Sequence, residues 1–104
     1  MAIRVKTVSV TIPANGQAYE TVLTIPPGAT RRVLGVAREY SADYMLVLSR
    51  NGEHDIELPG NYSAGMGSYI PYNQEIEGPA TIQVGGVDLA GSAQTRYFSL
   101  FWEE

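Results

Sequence analysis

The sequence predicts an all-β domain, an antiparallel β-sandwich of about eight short strands. Three observations carry this. Apolar residues recur with period two along most of the chain, as they do where one face of a strand meets a core. Eleven glycines and six prolines fall between those runs, punctuating them at short intervals. No segment combines sustained helical periodicity with a start cap and a stop.

The stretch from Ala18 to Val36, AYETVLTIPPGATRRVLGV, shows the pattern most clearly. Tyr19, Thr21, Leu23 and Ile25 fall on one face, with Glu20, Val22 and Thr24 on the other. Pro26-Pro27-Gly28-Ala29 ends the run, because two residues lack a ladder donor and the third tolerates positive φ.

In chain order, Ile3 to Ile12 is the first strand. Ile3 and Val5 lie in one phase and Val8, Val10 and Ile12 in the other, so a bulge or a change of sheet is expected near Lys6-Thr7. Pro13-Ala14-Asn15-Gly16 carries the Asn-Gly hairpin signal, which predicts that Gln17 to Ile25 pairs antiparallel with the first strand. Thr30 to Glu39 follows, with Leu34 and Val36 on one face and Val33, Gly35 and Ala37 on the other. Tyr44 to Ser49, YMLVLS, is apolar almost throughout and reads as a central buried strand.

Asn51-Gly52 is a second hairpin signal, leading into His54 to Leu58. Pro59 to Ser68, PGNYSAGMGS, is the one long loop. Pro71 limits Tyr69 to Ile76 to an edge or a strand start. Ala80 to Val84 alternates after Gly78-Pro79, and Gln94 to Trp102 closes the chain, with Phe98, Leu100 and Trp102 opposite Tyr97 and Phe101.

The totals bound the function. A chain of 104 residues with 44% hydrophobic content holds one domain, 1–104, with its own core. The absence of cysteine excludes a disulfide framework and thiolate chemistry. A net charge of −4 argues against a nucleic-acid surface, the only local basic cluster being Arg31, Arg32 and Arg38. The N-terminus, MAIRVKTVSV, has no continuous apolar core of a signal peptide, and no run has the length of a membrane span, so no membrane partner is expected.

Candidate chemical groups are few. His54 is the only histidine and has no nucleophile motif or second histidine to work with, so neither a catalytic nor a metal site is expected. Glu53, Asp55 and Glu57 alternate and would line one face of a strand, where charge discourages edge pairing. Asn61-Tyr62-Ser63 matches the glycosylation triplet, a chance match without a secretory signal. No cofactor motif is present.

Two groups are candidates for binding. Arg31, Arg32 and Arg38 stand out in an acidic chain, and one of them is expected to form an ion pair between loops or subunits, with simple solubility as the alternative. Tyr62, Met66, Tyr69 and Tyr72 give the long loop and its flank a surface suited to docking on protein or stacking on sugar, against a simple cover role at the end of the sandwich.

The runs TVSVTIPANGQAYETVLTIPPGATRRVLGV, DYMLVLSRNGE, IPYNQEIEGPATIQVGG and RYFSLFWEE resemble the small jelly-roll or β-sandwich domains of virion structural proteins, in particular phage capsid decoration and minor capsid proteins. The resemblance is one of strand-and-turn grammar over nearly the whole chain. It implies a jelly-roll-like sandwich, no enzymatic activity, homo-oligomers (often trimers), and seating on a major capsid protein in a virion assembled in the host cytoplasm. The same grammar occurs in carbohydrate-binding modules, where the loop tyrosines and Trp102 would take a sugar.

Overall fold

The computed structural model describes residues 2–62 and 67–104. It contains β1 (Ile3–Ile12), β2 (Gln17–Ile25), β3 (Thr30–Arg38), β4 (Tyr44–Arg50), β5 (Glu53–Pro59), β6 (Tyr69–Glu77), β7 (Ala80–Asp88) and β8 (Gln94–Glu103). These form two four-stranded antiparallel sheets, ordered β1-β8-β3-β6 and β2-β7-β4-β5. The pairs β1–β8, β2–β7, β3–β6 and β4–β5 are nested, as though one long hairpin had been rolled up. This is jelly-roll topology, and the expected antiparallel sandwich is the fold.

Each connection crosses between sheets except β4 to β5, so the described residues hold one tight hairpin. There Asn51 and Gly52 both take left-handed backbone, φ 53° and 84°, the turn whose twist matches paired strands. The hairpin expected at Pro13–Gly16 does not form: β2 pairs β7, not β1. At that turn Asn15 alone is left-handed (φ 56°) and the Gly16 amide donates to the Pro13 carbonyl at 3.0 Å. A turn with one such residue lacks the hairpin twist and hands the chain to the other sheet.

Bulges reset the phases that simple alternation assigns. In β3 the register shifts between Val33 and Gly35, so Val33 and Val36 both point into the core, fully buried, and Leu34 does not share a face with Val36. In β2 a shift between Thr21 and Leu23 turns Leu23 and Ile25 inward while Tyr19 and Thr21 face out. β1 behaves in the opposite way. Its pairing with β8 is unbroken from Ile3 to Ile12, so the predicted irregularity near Lys6-Thr7 is absent. Its phase slip arises because the core ends near Val8: Ile3 and Val5 lie on the outer face, 67% and 56% exposed.

The core between the sheets is built on Tyr44, Phe98, Leu46, Leu48, Leu100 and Ile82, with the Tyr44 and Phe98 rings edge to face at 5.9 Å. β4 is central and buried, as its apolar run predicts, and β6 with Pro71 is an edge. Tyr44 donates its hydroxyl to the Glu39 carbonyl at 2.6 Å, and burial pushes its pKa up to about 12.

One end of the sandwich is tied by Asp88, which is buried. Its carboxylate accepts from the amides of Asn15 (2.7 Å), Ala90 (2.9 Å) and Gly91 (3.0 Å) and from the Gln94 side chain (2.7 Å). Those bonds, led by the Asn15 amide, hold its carboxyl below the ordinary value of 3.8.

Candidate functional site

The two outer faces of the sandwich differ in chemistry. On the β2-β7-β4-β5 sheet, register places Thr21, Gln83, Ser49 and His54 in one row and Tyr19, Gly85, Val47 and Glu57 in the next. The Tyr19 ring lies over Gly85 and 5.7 Å from the His54 ring, and Val47 beneath this row is fully buried. This face finishes itself with polar groups. His54 Nδ1 sits 2.9 Å from a Glu57 carboxylate oxygen, with both side chains at the surface.

On the β1-β8-β3-β6 sheet the outer face is left greasy. Val5, Phe101, Gly35 and Pro71 are direct cross-strand neighbours, one apolar row spanning all four strands. Tyr69 leans over Gly35, where a Cβ would collide with its ring, and meets Phe101 edge to face at 5.8 Å. Ile3 extends the patch along β1, while Tyr97 (57% exposed) stands apart from it on β8. A hydroxyl pair, Thr7 to Ser99 at 2.7 Å, separates the apolar row from Tyr97, and a second, Thr11 to Thr95 at 3.1 Å, lies beyond it. Tyr97 and Phe101 face away from the core, whereas the β3 bulge sends Val33 and Val36 inside.

The predicted tyrosine cluster divides. Tyr69 belongs to the apolar face just described. Tyr62 lines a cleft of about 370 Å³ between the edge strands β5 and β6, with Ile56, Leu58, Ile70 and Pro71 as its apolar lining and Asp55 and Glu57 at its rim. Tyr72, on β6, donates to the Asp55 carboxylate on β5, which Arg50 also approaches at 3.4 Å. Burial first, then this bond to Asp55, pushes the Tyr72 pKa up to about 12. Met66 lies outside the described residues. The three carboxylates of β5 do not share a face, because a shift between Leu48 and Ser49 opposite Ile56 and His54 puts Asp55 in a bulge.

The arginines also separate. Arg32 pairs with Glu75 at 3.3 Å and Arg31 lies 4.0 Å from Glu104, both within the chain. Arg38 is buried (4% exposed) on the inward side of β3. Its guanidinium donates to the carbonyls of Gly67 (3.0 Å) and Tyr62, so it binds the β5–β6 connection through backbone oxygens and not through the carboxylate expected of a buried arginine. Carbonyl dipoles supply acceptors for its N–H fork without a second desolvated charge.

Two polar groups that tie the end of the sandwich, Arg96 and Asp88, were not singled out from the sequence. Arg96 shares the parity of Phe98 and Leu100, and it reaches Gln94 (2.7 Å), Glu39 (3.4 Å) and Ser41 (3.2 Å) at the end of the sandwich. Asp88 was legible as the first residue of Asp88-Leu89-Ala90-Gly91, since aspartate commonly caps the amides two and three residues on. Among the described residues no group of three or more His, Asp or Glu is arranged to hold a metal ion.

No family model, curated protein or solved structure matches this chain. The site must be judged on its own chemistry.

Proposed function

We propose that this protein is a non-enzymatic structural subunit: a capsid decoration or minor capsid protein that self-associates, seats on a major capsid protein and reinforces a virion shell. Jelly rolls of eight strands serve viral capsids, lectin-like domains and cupins alike, so topology alone does not choose among them. The observation that carries the reading is the apolar row Val5, Phe101, Gly35 and Pro71 on an outer face, with exposed Ile3 and Val5 at its β1 end. Uncovered apolar surface of this kind marks contact surfaces. The opposite face, roofed by Tyr19, His54 and Glu57, offers no equivalent.

Light scattering over a concentration series, with co-sedimentation on capsids of the phage that encodes it, tests this. Concentration-dependent assembly and co-sedimentation are expected. A strict monomer that ignores capsids overturns it.

A second reading, a carbohydrate-binding module, is favoured by one feature, the β5–β6 cleft with Tyr62 in its wall and an acidic rim. A glycan array separates the two. Sugar binding that is lost in Tyr62→Ala and Tyr72→Ala but kept in Tyr69→Ala, which alters the other surface, favours the module.

A further inference from the structure

We infer that copies of this chain join head to tail, Lys6 of one copy seated in the β5–β6 cleft of the next with its ammonium on Glu57, an inference that rests on the self-association proposed above. The topology sets the two parties on opposite sides of the molecule. β1 and β2 are the edge strands along one side of the sandwich, β5 and β6 along the other. Their charges are opposed. β1 carries Arg4 and Lys6 with no carboxylate, and β2 adds only Glu20. β5 and β6 carry Glu53, Asp55, Glu57, Glu75 and Glu77 with no lysine or arginine. In a chain whose net charge is −4, the β1 edge is the basic side and the β5–β6 edge the acidic one. Such opposed patches draw two copies together and fix how they meet.

Within one copy Lys6 is the cation left over. Arg4 is held by Glu104 at 2.9 Å, Arg32 by Glu75 at 3.3 Å, Arg50 by Asp55 at 3.4 Å and Arg96 by Glu39 at 3.4 Å, while Arg31 lies 4.0 Å from Glu104. Arg38 is spent on main-chain carbonyls. Lys6, the only lysine in the chain, is exposed and meets no carboxylate among the described residues. At the cleft Arg50 already answers Asp55. Glu57 has half of its side chain exposed and meets only the His54 ring, at 2.9 Å, so it is the rim carboxylate open to a further cation.

The edges decide the form of the contact. β1 is unbroken over its 10 residues, but β6 cannot extend a ladder along its length, because Pro71 lacks a donor and Asn73 is left-handed (φ 58°), and β5 bulges at Asp55. The acidic side offers a hole instead. At about 370 Å³ the cleft is near the lower bound of small-ligand sites, with room for one long side chain but not for a strand. A lysine lying along it covers Ile56, Leu58, Ile70 and Pro71 with its methylenes and keeps its ammonium at the wet rim beside Glu57. Because the two parties sit on opposite edges, the contact is heterologous, and it closes only as a ring of about three copies or more or runs on as a filament.

The test uses the intact chain and reads assembly by sedimentation velocity over a concentration series. Lys6→Glu and Glu57→Lys each change an exposed side chain, so the circular dichroism spectrum should stay as in wild type while the dissociation constant rises about tenfold or more. Combining the two reverses both partners and should restore assembly, which a merely unfolded variant cannot do. Raising the salt from about 0.05 to about 0.5 M shortens the screening length to about 5 Å and should weaken assembly of the wild type. Assembly that ignores the single changes, that the double change does not restore, or that stops at a dimer overturns the head-to-tail contact and leaves self-association standing. A monomer at every concentration overturns both.

Discussion

The bulge in β3 makes a prediction that strict alternation contradicts. Alternation pairs Leu34 with Val36 on one face and sets Val33 on the other. The register shift between Val33 and Gly35 instead buries Val33 and Val36 together and leaves Leu34 half-buried. Trimming either valine to alanine removes two carbons from a site with no solvent exposure. At about 0.8 kcal/mol per buried carbon, the transfer loss is about 1.6 kcal/mol. The cavity left in a close-packed sandwich raises this to about 2–3 kcal/mol if the sheets do not collapse. For a domain of this size that lowers the melting temperature by about 10 °C. Leu34→Ala should cost under about 1 kcal/mol, within the range of partly exposed strand positions. Urea unfolding of the three single variants decides the matter. The bulged strand predicts equal large losses for Val33→Ala and Val36→Ala and a small one for Leu34→Ala. Large losses at Leu34 and Val36 with a small one at Val33 would refute the bulge and the packing built on it.

Other outcomes follow from the same geometry. Asp88→Asn should lower stability at neutral pH and flatten the acid limb of the stability curve. The folded carboxyl is held below 3.8, so the unfolded state binds more protons across that window and the wild type loses stability as pH falls through it, an effect read by unfolding at successive pH values. In alkali the sign reverses for Tyr44 and Tyr72. Both hydroxyls ionise near 12 in the folded protein against 10 unfolded, so stability falls as pH rises from 10 to 12, and an ultraviolet titration of Tyr44→Phe and Tyr72→Phe should each lose part of the late-titrating absorbance. Tyr44→Phe should also cost about 1–2 kcal/mol at neutral pH by leaving the Glu39 carbonyl without its donor, measurable by thermal unfolding. Gly85→Ala should cost roughly 2–3 kcal/mol by overpacking, since a Cβ there runs into the Ala18 carbonyl and the Tyr19 ring.

Much of the architecture is readable from the residues. Alternating runs and turn residues place the strands close to their true bounds except β7, which runs past Val84 through Gly85-Gly86 to Asp88; the YMLVLS run marks β4 as central, and Pro71 marks β6 as an edge. Asn51-Gly52 predicts a real hairpin. The same dipeptide at Asn15-Gly16 misleads, because the turn there starts from Pro13 and only Asn15 becomes left-handed. The candidate site was half legible. Tyr97 and Phe101 are opposite Phe98 and Leu100 by parity, which already suggests an apolar outer face. That Val5 and Pro71 complete the same row depends on which strands are neighbours.

Local chemistry determined the all-β class, the positions of the strands and which turn could close a hairpin, because side-chain alternation and backbone φ preferences act over a few residues. Strand order, the bulges that put Val33 and Val36 in the core, the carbonyl clamp on Arg38 and the gathering of one apolar row were decided only by tertiary structure. Each of these depends on pairing between segments as far apart in the chain as β1 and β8, and nothing in either segment alone names its partner.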